Sequence, residues 1–184
     1  MDWTLYYKEY ILSMPQTYND KLENLPPDTK GIIFGREFNQ PINEGILPEN
    51  LITIIFGLKF NQPINEGSLP ENLKYLTFGH MFNKSIDSLP NSLEYLCLGI
   101  NFSQYVNKFP SKLIHLSFWS DCTIKNNIPL SVKNLAIYFS ADKNNNEPIE
   151  NLPHSIEEIV IQDKEYYSYL KKIPFGCKVI VQEE

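Results

Sequence analysis

The 184-residue sequence carries few of the residues that do chemistry. It has three cysteines, Cys97, Cys122 and Cys177, and three histidines, His80, His115 and His154. An odd number of widely spaced cysteines excludes a short-spaced metal motif and a simple disulfide framework. No phosphate-cradling glycine loop, HExxH or GxSxG is present. Basic residues are in the minority: 16 Lys and Arg face 22 Asp and Glu, for a formal net charge of -6. That balance argues against nucleic acid, which rewards a basic footprint. No apolar run approaches the ~20 residues that cross a bilayer. The opening MDWTLYYKEY lacks the compact apolar stretch and small-residue cleavage site of a signal peptide. The expectation is an intracellular, cytoplasmic protein with no nucleic-acid or membrane partner and no cofactor. A hydrophobic content of 42% supports a packed core rather than disorder.

Proline is what the chain has in quantity. Of its 13 prolines, eight follow an apolar residue at near-regular intervals: Pro26, Pro48, Pro70, Pro90, Pro110, Pro129, Pro153 and Pro174. The successive spacings are 22, 22, 20, 20, 19, 24 and 21. The octet FNQPINEG stands at 38–45 and again at 60–67. A period near 20 residues is the signature of a repeat architecture.

Aligned on the prolines, the third following position holds Leu51, Leu73, Leu93, Leu113, Val132 and Ile156. The sixth runs from Ile32 and Ile54 through Leu76, Leu96 and Leu116 to Leu135 and Ile159. The eighth starts with Phe34, Phe56 and Phe78. Gly35, Gly57, Gly79 and Gly99 come next, where a turn needs unusual backbone angles or close approach. Three residues on stand Phe38, Phe60, Phe82 and Phe102, and Asn39, Asn61 and Asn83 follow the first three. The sixth and eighth positions alternate with more polar neighbours, the period of a strand with one buried face. One strand per repeat cannot bury its own apolar side, but stacked repeats can. Phe38, Phe60 and Phe82 are then core rungs. Asn39, Asn61 and Asn83 are expected to be structural, their amides serving turn backbone left without partners. A polar recognition row is the alternative for the asparagines.

These residues resemble the FNIP-repeat family, a leucine-rich-repeat-like group found mainly in amoebae and in the giant viruses that infect them. The match rests on FNQPI at 38–42 and 60–64, FNKSI at 82–86 and the unit LPENLKYLTFGHMFNKSI at 69–86. It covers about residues 22–162 and drifts later, with FSQYV at 102–106 and Cys122-Thr123 in place of Phe-Asn. The resemblance implies a curved parallel sheet of about seven or eight short strands with a mostly non-helical outer side. It also implies a non-enzymatic scaffold for protein–protein interaction. Many relatives carry an F-box, so a substrate-recognition adaptor for a ubiquitin ligase is the alternative, although no F-box is recognisable in this sequence.

The expected organisation is a helical N-terminal cap at 1–24, repeats at 25–162 and a C-terminal cap with a last strand at 163–184. Trp3, Leu5, Tyr6, Tyr10, Ile11, Leu12 and Met14 have the roughly helical spacing behind the first of these, and a segment that docks a partner is its alternative. The fifth and seventh positions should point to solvent, because side chains alternate along a strand. Tyr75, Tyr95 and His115 should stack on neighbouring strands, with small Thr77, Cys97 and Ser117 beside them as a shallow platform for a protein of unknown identity. Cross-strand stabilisation of the sheet is the competing reading. Cys97, outward and beside rings, is a candidate reactive thiol, whereas Cys122 and Cys177 replace core Phe and Leu. The oligomeric state is open.

Overall fold

Each of the eight marked prolines opens the same turn. The backbone N–H three residues on donates to its carbonyl at Thr29, Leu51, Leu73, Leu93, Leu113, Val132, Ile156 and Cys177, with N···O distances of 3.1–3.3 Å. Proline suits the place because its φ is already fixed and it has no N–H to leave unpaired. The turn aims the third-position side chain into the core, where Leu51, Leu73, Leu93 and Leu113 are fully buried. Thr29 takes that place in the first turn, also fully buried, and its hydroxyl donates to the Pro26 carbonyl at 2.7 Å.

After each turn the chain runs into a short strand. The computed structural model describes residues 7–142 and 146–182. Its strands are β1 (Tyr7–Lys8), β2 (Ile11–Ser13), β3 (Gly31–Ile33), β4 (Thr53–Ile55), β5 (Tyr75–Thr77), β6 (Tyr95–Cys97), β7 (His115–Trp119), β8 (Asn134–Tyr138), β9 (Glu158–Ile161) and β10 (Lys178–Val181). They form one sheet in chain order. β2 to β10 are parallel, and β1 pairs antiparallel with β2. Ile54, Leu76, Leu96 and Leu116 pair directly across β4 to β7, all fully buried. This is a solenoid whose coils each contribute one strand. The outer side has little helix: among the described residues it has only 3-10 turns at Thr123–Asn126 and Lys164–Tyr169.

Behind the sheet the phenylalanines form a continuous pile. Phe38, Phe60, Phe82 and Phe102 stack from coil to coil at 6.0–6.2 Å between ring centroids, within 11° of parallel. Within a coil Phe56 lies 3.8 Å from Phe60, and Phe78 lies 3.7 Å from Phe82. Aromatic burial on this scale dominates core energetics, and each ring truncated to Ala costs about 3–5 kcal/mol.

Two inter-coil devices bring the backbones together. A Cβ on Gly57 would sit 2.0 Å from the Gly35 carbonyl oxygen, and one on Gly79 would sit 2.1 Å from that of Gly57. Close approach, not a left-handed φ, is therefore what these glycines provide. The second device is the asparagine row. The backbone N–H of Asn61 donates to Asn39 Oδ1 at 2.9 Å, and that of Asn83 donates to Asn61 Oδ1 at 2.9 Å. Asn19 begins the row by accepting from Asn39, and Ser103 ends it by donating to Asn83.

The N-terminal expectation needs correction. Of residues 1–24, those from 7 onward are described, and they contain no helix. Ile11–Ser13 is a strand in register with β3, and Met14, Tyr18, Asn19 and Leu22 take the places of Phe34, Phe38, Asn39 and Ile42. Tyr18 lies 6.1 Å from Phe38, 5° from parallel. The segment is a coil, so the described residues form nine parallel strands where about seven or eight are expected. The hairpin ahead of it turns through Glu9 and Tyr10, both at positive φ (51° and 68°), the pattern of a two-residue hairpin turn. Trp3, Leu5 and Tyr6 lie outside the described residues. At the other end, the described residues 163–182 hold the Lys164–Tyr169 turn and β10.

Two substitutions test this packing. Gly79→Ala places a methyl group against a backbone carbonyl and is expected to cost at least about 2 kcal/mol in a chemical-denaturation measurement. An unchanged denaturation midpoint would mean that the coils are farther apart. Asn61→Ala leaves the Asn83 N–H without its acceptor and is expected to cost about 1–3 kcal/mol.

Candidate partner-binding face

The strands that fill the core with alternate residues turn the others outward. On that face Tyr75, Tyr95 and His115 are direct cross-strand partners. Tyr75 and Tyr95 have ring centroids 6.4 Å apart at 38°, and Tyr95 and His115 are 6.2 Å apart at 35°. Tyr75 and His115 are exposed and Tyr95 is half-buried. The three rings therefore form one row along the sheet.

Beside them Thr77, Cys97 and Ser117 pair in the same order. Their surroundings differ from the open platform that small residues suggest. Ser117 is only 2% exposed, and its hydroxyl lies 3.4 Å from the Tyr95 hydroxyl. Burial pushes the Cys97 thiol up to about 11. A thiol in that range is almost wholly protonated at neutral pH, so the arrangement does not favour a reactive cysteine. Cys122 is 2% exposed and likewise pushed up to about 11 by burial. Cys177 is half-buried at the margin of the core, not enclosed as a core leucine would be.

The cover comes from two residues that the repeat pattern does not announce. At the position held by Gly35, Gly57, Gly79 and Gly99, the next two repeats have Trp119 and Tyr138. Without glycine the tight turn is lost and the strand runs on. β7 and β8 have five residues each, whereas β3 to β6 have three. Trp119 and Tyr138 pair across them with centroids 5.6 Å apart at 35°. Tyr138 lines one depression with Cys97 and another with Tyr95, and burial, then these two neighbours, shift its hydroxyl pKa upward. The legible signal was a change in the glycine column from the smallest residue to two of the largest.

The result is a face with two aromatic rows. A depression of about 430 Å³ lies on the glycine side between Gly79, Gly99, Cys97, Trp119 and Tyr138. Another, of about 250 Å³, lies over β7 to β9, with Ser117 and Ala136 among its lining and Tyr95, Tyr138 and Glu158 around them. Further toward β2 the face becomes aliphatic, with Ile11, Ile33 and Ile55 at 44%, 38% and 37% exposure. His80, His115 and His154 lie on three different coils, and among the described residues no group of three His, Cys, Asp or Glu could hold a metal ion. No helix among them is long and apolar enough to cross a membrane.

Asn39, Asn61 and Asn83 lie away from this face, in the turns that follow the strands, with their side-chain oxygens engaged by the next coil. Phe38, Phe60 and Phe82 are fully buried.

The FNIP repeat model matches residues 18–59 and 60–101. A solved structure described as CroV588, a novel circular LRR protein, aligns with a TM-score of 0.69 and 31% identity. The alignment covers 90% of this chain and 26% of that one, so this chain spans about a quarter of that protein's length. No curated protein matches the sequence.

Coverage of the thiols is directly measurable. Cys97 and Cys122 are expected to resist iodoacetamide at pH 8 in the folded protein and to label fully in denaturant. Rapid modification of Cys97 in the folded state would contradict the placement of the Tyr138 ring beside it.

Proposed function

We propose that this FNIP-repeat chain is a non-enzymatic scaffold that binds a protein through the solvent face of its sheet. One observation supports the reading above the others. The tyrosine–histidine row and the Trp119–Tyr138 pair share one face of a rigid sheet, and the core requires none of their rings. Tyrosine and tryptophan supply contact area and a polar handle at small entropic cost, which favours them at interfaces. Rings that served only to knit strands together would not need Trp119 and Tyr138 in the glycine column, because a glycine there already completes the coil.

The scattering of histidines, the burial of Cys122 and the upward shift of the half-buried Cys97 thiol support the non-enzymatic part of the reading. Catalysis needs ionisable groups converging on one reacting atom. The face offers ring surface and hydroxyls instead, the composition of a recognition surface.

The test is proximity labelling in the native cell with the chain and with the triple variant Tyr75→Ala, Tyr95→Ala, His115→Ala. These positions project from the sheet, so the variant should keep the thermal melting behaviour of the parent. Proteins labelled by the parent and lost with the folded variant are the expected result. An identical set from both would remove this face from partner binding.

A further inference from the structure

The depression over β7 to β9 has a more specific chemistry than the face around it. At about 250 Å³ it falls below the ~300–1,000 Å³ usual for drug-sized ligands, a scale suited to a single side chain. Tyr95, His115 and Tyr138 supply its rings. Ser117 and Ala136, cross-strand partners on β7 and β8, keep it deep because neither fills the space above the sheet. Gln162 also lines it, but its amide is engaged, accepting from the Phe139 N–H at 2.6 Å and donating back to the Phe139 carbonyl at 3.4 Å.

That leaves Glu158 as the charged group of the site. It is the single carboxylate in the lining, and no Lys or Arg joins it there. It forms no ion pair with a cation among the described residues, unlike Glu94, held by Lys74 at 2.8 Å, and Glu157, held by Lys133 at 3.0 Å. Lys178 is its direct neighbour across β9 and β10 and still lies outside ion-pair distance. The sequence as a whole carries a formal charge of -6, so the surrounding field does not oppose a cation.

Ring faces with an unpaired carboxylate at the edge form a cation receptor, and the planar guanidinium suits it better than an ammonium. The geometry points to this depression as the receptor for an arginine side chain of the protein partner, stacked against Tyr95 or Tyr138 and paired with Glu158. The inference rests on the scaffold reading above, for which it supplies the chemistry of the partner's anchor.

The experiment is a two-dimensional NMR titration of the ¹⁵N-labelled full chain at pH 7.5 with Nα-acetyl-arginine amide. Nα-acetyl-citrulline amide, of similar shape and no charge, is the control. The arginine probe should give saturable shifts confined to the amides of β7 to β9. Affinity should fall about tenfold or more with citrulline and with Glu158→Gln. Ala136→Leu, which fills the depression and leaves the carboxylate in place, should abolish the response. Shifts that are absent, lie elsewhere, or are equal for the two probes overturn the assignment. Failure of the arginine receptor is separable from failure of the scaffold reading. A partner lost with the Tyr75, Tyr95 and His115 variant but indifferent to Glu158→Gln leaves the scaffold and removes the arginine receptor. Saturable, Glu158-dependent arginine binding with no protein lost from the triple variant does the reverse.

Discussion

Everything in this solenoid depends on how closely one coil's backbone lies on the next. Parallel strands about 4.8 Å apart fix the spacing at the sheet, and the turns that follow keep the same spacing through backbone bonds such as Lys59 N–H to the Arg36 carbonyl and Met81 N–H to the Leu58 carbonyl. Two residue types make that possible. Glycine at 57, 79 and 99 leaves room for the preceding coil's carbonyl, and asparagine at 39, 61 and 83 lends an oxygen to the following coil's N–H. With the backbones held in step, identical side chains fall on top of one another. The phenylalanine pile and the leucine rows are consequences of that alignment. An N–H without a partner where water is partly excluded costs more than a typical hydrogen bond contributes, so at the part-buried Asn61 and Asn83 the row removes a penalty more than it adds strength.

The same constraint explains where the molecule departs from regularity. Once Trp119 and Tyr138 occupy the glycine column, the tight turn cannot form and the strands lengthen by two residues. The coils there are completed differently. Cys122 occupies the Phe site, and Lys125, mostly buried, pairs with Glu147. Ser120 and Ser140 share Asn146, itself 8% exposed. This irregular stretch is therefore knitted by polar contacts where its neighbours use stacked rings. Its two large aromatic side chains stand on the strand face and not in the core, and they enclose the space between the rows of rings. Loss of the local rule and appearance of the second aromatic row have a common origin.

Much of this was legible in the sequence because the repeat spells out its own constraints. The proline turn, the leucine and isoleucine rows, and the solvent-facing column of Tyr75, Tyr95 and His115 all follow from alternation and spacing. The N-terminal coil was hidden. Met14 and Tyr18 stand in for phenylalanine there, and Pro15 stands where later coils have glycine. Pro15 is tolerated because, among the described residues, no earlier coil turn packs against it; its carbonyl instead receives Gly35. The depressions that Tyr138 shares with Cys97 and with Ser117 were also hidden, since spacing does not show which side chains enclose a space together. Glu158 is one glutamate among many in the sequence, and only the fold sets it at the edge of an aromatic depression.

Coil-on-coil alignment is tested most directly by amide hydrogen exchange, residue by residue, under native conditions. Asn61, Asn83 and Ser103 have N–H groups whose acceptor in the structure is the side-chain oxygen of the preceding coil's asparagine. In an open turn such groups would exchange freely. The close-stacked solenoid predicts protection for all three within about tenfold of the strand amides of Leu76 and Leu96. Exchange at the rate of an unstructured peptide, with the strand amides still protected, would show that the turns are not held by their neighbours and would contradict the account.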